Sequence, residues 1–317
     1  MSNSIAILRL FFKLKVYQTS GMDFQVFFST IMSNLDPDFV GIKPHGNWGD
    51  GGNDGCNPRT KHYYQIYAPL ASTTTNPIAE FNKAVTDYGK LIQKWGEVKG
   101  YSFVINDKFT QIPAPLQSNF QNFIEEQIIP DGRIICSFQL QKLFMKLEED
   151  MKLDVLGMYC VDESLSSDFE PTLVGELIDY LIENADNSFN FLTGEAPNFD
   201  EKITFNNLSD LLAARLISNY AEVYKINDFL DVQGDDLSQS LSLSINKIYK
   251  EISSSIPLED EERSSLIYLA LREALIPKFA KKDKLSKRSY TSIAEIIIAK
   301  FFSTCDVYED PNSLNAT

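Results

Sequence analysis

Cysteine is scarce in this chain and scattered: Cys56, Cys136, Cys160 and Cys305 show no CxxC spacing and do not cluster with the only two histidines, His45 and His62. That pattern argues against a zinc site or a disulfide framework and suits a reducing cytoplasm, the expected location. Long hydrophobic runs are missing too. The most apolar N-terminal stretch, IAILRLFFKLKVY, is broken by Arg9, Lys13 and Lys15; it is too short to span a bilayer and has no small-residue cleavage site. It reads as a packed first helix, with no membrane role. Internal repeats and low-complexity tracts are absent, and no GxxxxGK[ST] phosphate loop occurs.

What is present is enough for a sizeable core. Of 317 residues 44% are hydrophobic and 23% charged, which points to two soluble domains. Charge divides them. Residues 1–160 hold 15 Lys and Arg against 16 Asp and Glu, whereas residues 161–317 hold 14 against 28. So acidic a second half repels phosphate backbones and suits a protein partner. Its exception is KFAKKDKLSKR (278–288), six basic residues against one acid, read first as a solvated loop and second as a binding patch.

The first half alternates helix and strand. Helices at about 5–17 and in DFQVFFSTIMSNL are followed by a short strand FVGIKP, a glycine-rich turn and a strand KHYYQIYAP. TTTNP (73–77) supplies caps for a helix AEFNKAVTDYGKLIQKW, with Phe81, Val85, Tyr88, Leu91, Ile92 and Trp95 on one face. A strand YSFVIND, a helix SNFQNFIEEQII, a strand RIICSF and a helix QLQKLFMKLEEDM complete an α/β domain with a mixed sheet flanked by helices. Residues 161–206 read as a connecting segment with a helix at 171–185 and a loop around LTGEAPNFD. Residues 207–317 carry apolar residues at three-and-four spacing in four stretches and form an all-α C-terminal domain.

The turn GDGGNDG (49–55) concentrates the chemistry. Its glycines let the backbone turn tightly, and Asp50 and Asp54 offer oxygens that suit a hard cation. An EF-hand would need a glutamate twelve residues into the loop, where Thr60 and Lys61 stand. On the strand that follows, alternation puts Tyr63, Gln65 and Tyr67 on one face.

GDGGNDG followed by YYQIY resembles the GDGGxDG…QxK signature of Mrr-type restriction endonucleases, and GMDFQ upstream resembles their G-x-[E/D]-F-E entry. The resemblance implies a restriction-endonuclease-like domain over 1–160 that cuts double-stranded DNA with Mg²⁺, or Mn²⁺ in its place. Asp54 would bind the metal from an exposed turn, Asp50 would assist or hold the turn, and the Gln65 amide oxygen would complete the ligand set. Tyr67 occupies the usual lysine position and Gln25 that of a further acid. Lys83 is therefore the expected source of positive charge on the attacked phosphate, ahead of Lys90, Lys94 and Lys61.

A second resemblance lies at the other end. AEIIIAKFFSTCDVYEDP (294–311) is similar to the closing segment of C-terminal domains in ABC-three-component bacterial anti-phage defence systems, which include Lamassu, although Ser303 and Tyr308 replace the usual acid and phenylalanine. YQIYAP (64–69) and FVINDKF (103–109) resemble the N-terminal nuclease domains of effectors in that group. The family reading implies an effector held by residues 207–317 on an SMC-like ATPase and a middle subunit, activated by release or by clustering into a homo-oligomer. In that reading part of the apolar run Ile296, Ile297, Ile298, Phe301 and Phe302 docks on the ATPase. The alternative is a catalytically degenerate nuclease-fold adaptor, favoured by Tyr67 and disfavoured by retention of both aspartates. A nucleotide-hydrolysing enzyme lacks any motif.

Overall fold

The structure, a computed structural model, describes residues 2–46, 49–70, 76–158, 171–183, 198–304 and 306–311. Backbone contacts divide the chain into a sheet unit, Phe12–Tyr159, and a helical unit that joins Met1–Phe11 to Cys160–Thr317.

The sheet unit contains α1 (Ser2–Gln18, from Phe12 on), α2 (Gly21–Leu35), β1 (Val40–Gly41), β2 (Gly55–Asn57), β3 (His62–Tyr67), α3 (Pro77–Trp95), β4 (Gly100–Ile105), α4 (Ala114–Glu126), β5 (Asp131–Ile135), α5 (Ser137–Phe144) and α6 (Glu149–Leu156). The strands lie in chain order, β1, β2 and β3 antiparallel and β3, β4 and β5 parallel. This is the expected mixed sheet, with one strand more than the sequence suggested. β2 has three residues, too few to show an alternation.

Alternation along β3 builds both cores. Tyr64 and Ile66 pack with Phe12, Phe24, Phe28 and Phe144 on one face, while Tyr63 and Tyr67 pack with Phe81, Tyr88, Tyr101 and Phe103 on the other. α3 begins at Asn76, whose Oδ1 accepts from Ile78 N at 2.9 Å; the threonines at 73–75 lie outside the described residues. Its buried face is Phe81, Ala84, Tyr88 and Leu91, narrower than expected, and Val85, Ile92 and Trp95 are each more than a third exposed. The stretch QLQKLFMKLEEDM is two helices. Glu148 is extended, and Glu149 and Asp150 in the next turn favour a new N-terminus there.

The helical unit consists of α7 (Pro171–Glu183), α8 (Phe199–Phe205), α9 (Asp210–Tyr220), α10 (Tyr224–Gln233), α11 (Asp235–Ser255), α12 (Arg263–Leu275) and α13 (Lys284–Ser303), with the first residues of the chain. α7, in the stretch read as a connection, packs on α10, α11 and α13. α8 stands where a loop was expected, and the rest of that loop, through residue 197, lies outside the described residues. α13 is the centre, touching α7, α9, α10 and α12.

That central position corrects the docking expectation. Ile296, Ile297, Ile298, Phe301 and Phe302 are at most 4% exposed, so the apolar run is interior rather than a partner surface. The run is wide because several helices surround it. Buried Lys202 caps its end, donating to Phe302 O at 2.7 Å and Val307 O at 2.8 Å, with its ammonium 4.6 Å from the Phe302 ring. Glu295, also buried, lies 3.4 Å from Arg272 and 3.5 Å from Arg215. The basic stretch 278–288 is no simple loop either. It holds a 3-10 turn, Ala280–Lys282, and the start of α13, and Lys281 donates to Glu273 O at 2.6 Å while Lys287 meets the Glu273 carboxylate at 3.5 Å. Among the described residues no helix is long and apolar enough to cross a membrane.

Candidate functional site

The glycine-rich turn is seated on α3. Gly49, Gly51 and Gly52 all have positive φ, and a Cβ on Gly52 would come within 2.9 Å of Asp87 O, so only glycine allows the approach. Asp50 Oδ1 accepts from Gly52 N at 2.8 Å and holds the turn closed. Asp54 extends the line of β2. Its N–H donates to Tyr64 O at 2.8 Å and its carbonyl accepts from Ile42 N at 2.9 Å.

The Asp54 side chain is therefore not on an exposed turn. Oδ2 accepts from Ile66 N at 2.7 Å and from Gln65 Nε2 at 3.0 Å, and Oδ1 accepts from Gln25 Nε2 at 3.2 Å. Burial raises its pKa to about 6; the Ile66 N–H opposes the rise and the Asp50 carboxylate adds to it. The structure thus joins Asp54 to Gln65 and sets Asp50 close behind. Gln25, which stands where a further acid was expected, orients Asp54 instead, a role that 29 residues of separation hide from a sequence reading.

The expected sources of positive charge are placed differently. Tyr67 is half-buried against the core, stacked on Phe103 with 6.4 Å between ring centres, and among the described residues its hydroxyl, itself buried, has no hydrogen-bond partner. Lys83 is exposed and pairs with Glu80 at 3.1 Å; among the described residues no contact joins it to Asp54 or Gln65. Lys61 pairs with Glu97 at 2.5 Å. Lys90 lies on the part of α3 where the turn is seated. It bonds Asp87 Oδ1 at 2.6 Å, and that bond, with a smaller contribution from Asp50, raises its pKa.

Among the described residues no group of three or more His, Cys, Asp and Glu side chains is placed to hold a metal ion. The donor set still fits one hard cation of the Mg²⁺ type, which commonly takes one or two carboxylates and completes its shell with water and substrate phosphate. Burial disfavours the charged form of Asp54 and the Asp50 carboxylate adds a smaller push the same way, a bias that a bound cation would oppose. Gln65 would have to turn its amide, because it now offers Asp54 its N–H.

The molecule is thus a mixed α/β unit bearing a half-buried acid–amide centre, together with an all-α unit. Residues 173–309 match the family model of C-terminal domain 10 of the ABC-three component (ABC-3C) systems. The match runs from the first turn of α7 to the segment capped by Lys202, and so covers the helical unit alone. Neither a curated protein nor a solved structure matches the chain.

Proposed function

We propose that this protein is the effector of an ABC-three-component defence system, and that its sheet unit is a restriction-endonuclease-like, Mg²⁺-dependent DNA endonuclease. One observation carries the reading: Asp54 and Gln65, from the aspartate turn and the strand two along the sheet from β1, meet through a hydrogen bond with Asp50 close by. Asp54 and Asp50 would hold the cation, with the Gln65 amide oxygen as third ligand. Bound there, Mg²⁺ or Mn²⁺ would supply Lewis-acid activation of a scissile phosphate in double-stranded DNA. The chain's own residues orient this centre. Ile66 N–H and Gln25 fix the Asp54 carboxylate, and the Asp50 turn keeps the loop on α3. With Tyr67 packed on Phe103, charge on the phosphate falls to a lysine of α3: Lys83 after leaving its exposed pair with Glu80, worth under about 1 kcal/mol, or Lys90.

The helical unit would bind the SMC-like ATPase and middle subunit, with cleavage following release or clustering. Residues 1–160 have almost no net charge, so a single copy gains little from counterion release and binds DNA weakly; several copies would add their weak contacts. A non-cutting adaptor is the second reading, favoured by Tyr67 packed on Phe103 and by the three N–H donors already on the Asp54 carboxylate. Incubating plasmid DNA with the protein and Mg²⁺ or Mn²⁺, with and without the products of neighbouring genes, separates the two. Cleavage lost in Asp54→Asn supports the nuclease, and intact plasmid under every condition supports the adaptor.

A further inference from the structure

A second site lies at the far edge of the sheet unit. Between α4, β5 and α5 a cavity of 270 Å³ opens, floored by Ile134 and Cys136, walled by Phe138 and rimmed by Gln111, Gln117 and Gln139. Among the described residues none of its lining side chains is charged. The volume is just below the range of about 300–1,000 Å³ that suits drug-sized ligands, which leaves room for roughly one heterocycle.

The cavity is built rather than left over. Asp107 pins both of its sides, Oδ1 accepting from Ser137 N at 2.7 Å and Oδ2 from Gln111 N at 3.0 Å. Lys108, Phe109 and Gln111, three non-glycine residues in four, are held at φ of 50°, 61° and 70°, a strained arrangement that clusters at ligand clamps. It brings Gln111 to the rim. Phe109 also meets Phe138 edge to face at 5.0 Å and steadies it, although Phe138 is 46% exposed. Gln139 Oε1 accepts from Cys136 N at 3.3 Å and from the Cys136 thiol, which holds this amide at the rim.

Chemistry narrows the occupant. A phosphate or carboxylate would find no cation among these lining groups, and a metal would find only amides and one thiol. Three primary amides, Gln139 with its oxygen already engaged by Cys136, beside an aromatic ring over an apolar floor, suit a neutral planar ring with a hydrogen-bonding edge. Proteins that take single bases out of the stack use this combination. Lys142, exposed and one turn beyond Phe138 on α5, is where an attached phosphate would meet positive charge.

We propose that this cavity holds one unstacked nucleobase of a DNA strand. The inference rests on the DNA-binding part of the function proposed above and not on cleavage. It is tested in the full-length Asp54→Asn protein with a short single strand carrying 2-aminopurine. Stacking on Phe138 should quench the probe saturably, and Phe138→Ala should abolish the quench and weaken binding roughly five- to hundredfold, the range of one base–aromatic stack; Phe138→Trp should keep both. Titration of free deoxynucleosides, followed through the side-chain amide NMR signals of Gln111, Gln117 and Gln139, gives an independent reading. Strand binding that Phe138→Ala leaves unchanged overturns the base site while the nuclease reading stands. Shifted amide signals without strand binding support the base site against DNA as substrate. Absence of both overturns the proposal.

Discussion

Asp54 is held in a pocket that prefers it protonated, and stability should show it. A folded-state pKa of about 6 against an ordinary 3.8 means that the native state keeps a proton which the unfolded chain releases first. Stability therefore falls as pH rises through about 4 to 6 and stays lower above that window, by up to about 3 kcal/mol for two pK units. Asp54→Asn should lose this dependence, and urea unfolding at pH 4.5 and 7.5 measures it. Asp54→Ala should lose the dependence as well, but with a stability cost at every pH. It leaves three N–H donors without their acceptor, so a loss of several kcal/mol is expected, more than an exposed turn aspartate would cause. Tyr67→Lys, which restores the usual lysine by sequence, puts an ammonium against Phe103 in the core and should lower the thermal midpoint by several degrees. The pairing of Asp54 with Gln65 was legible from motif and alternation. The partners of Lys83 and the support from Gln25 were not, since both depend on contacts that spacing along the chain does not encode.

At the scale of elements, the long helices were readable because burial on one side imposes a repeat, and β3 and β4 because strands covered on both faces read as short runs of aromatic and β-branched residues. Short elements were not. β2 and α8 have three and seven residues, and the break between α5 and α6 depends on one extended residue. In 278–288 the solvated reading holds for exposed Lys278, Lys282 and Lys284, but not for buried Lys287, whose partner Glu273 lies on α12. The turn tests how elements meet. Gly52→Ala would force a Cβ against Asp87 O at a φ of 84°, so it should cost more than about 2 kcal/mol and loosen the turn from α3, a change visible in hydrogen exchange of the Asp87–Leu91 amides. In the helical unit Glu295→Leu would take from Arg272, itself 1% exposed, one of its two carboxylate partners and leave Glu273 at 3.4 Å; a loss of about 3 kcal/mol is expected in chemical denaturation of that unit.

For the whole molecule, charge and composition foretold a two-part chain but not that its first residues belong with its last. The central place of α13 changes what a truncation means. Deleting 290–317 removes most of a buried helix, so the expected result is a helical unit sensitive to protease with no thermal transition of its own, and co-purification with partners lost through unfolding rather than through removal of an exposed patch. Limited proteolysis beside the pull-down tells these apart. The division of the chain also sets an order in time. During synthesis the sheet unit, ending at Tyr159, leaves the ribosome while the helical unit still lacks α13 and the segment Lys202 caps. At about 5–20 residues per second, the 149 residues from Cys160 to Tyr308 take roughly 7–30 s. For that interval each new chain carries its acid–amide centre without a finished helical unit; under the function proposed above, the timing of partner supply would then bear on how safely a cell can make this protein.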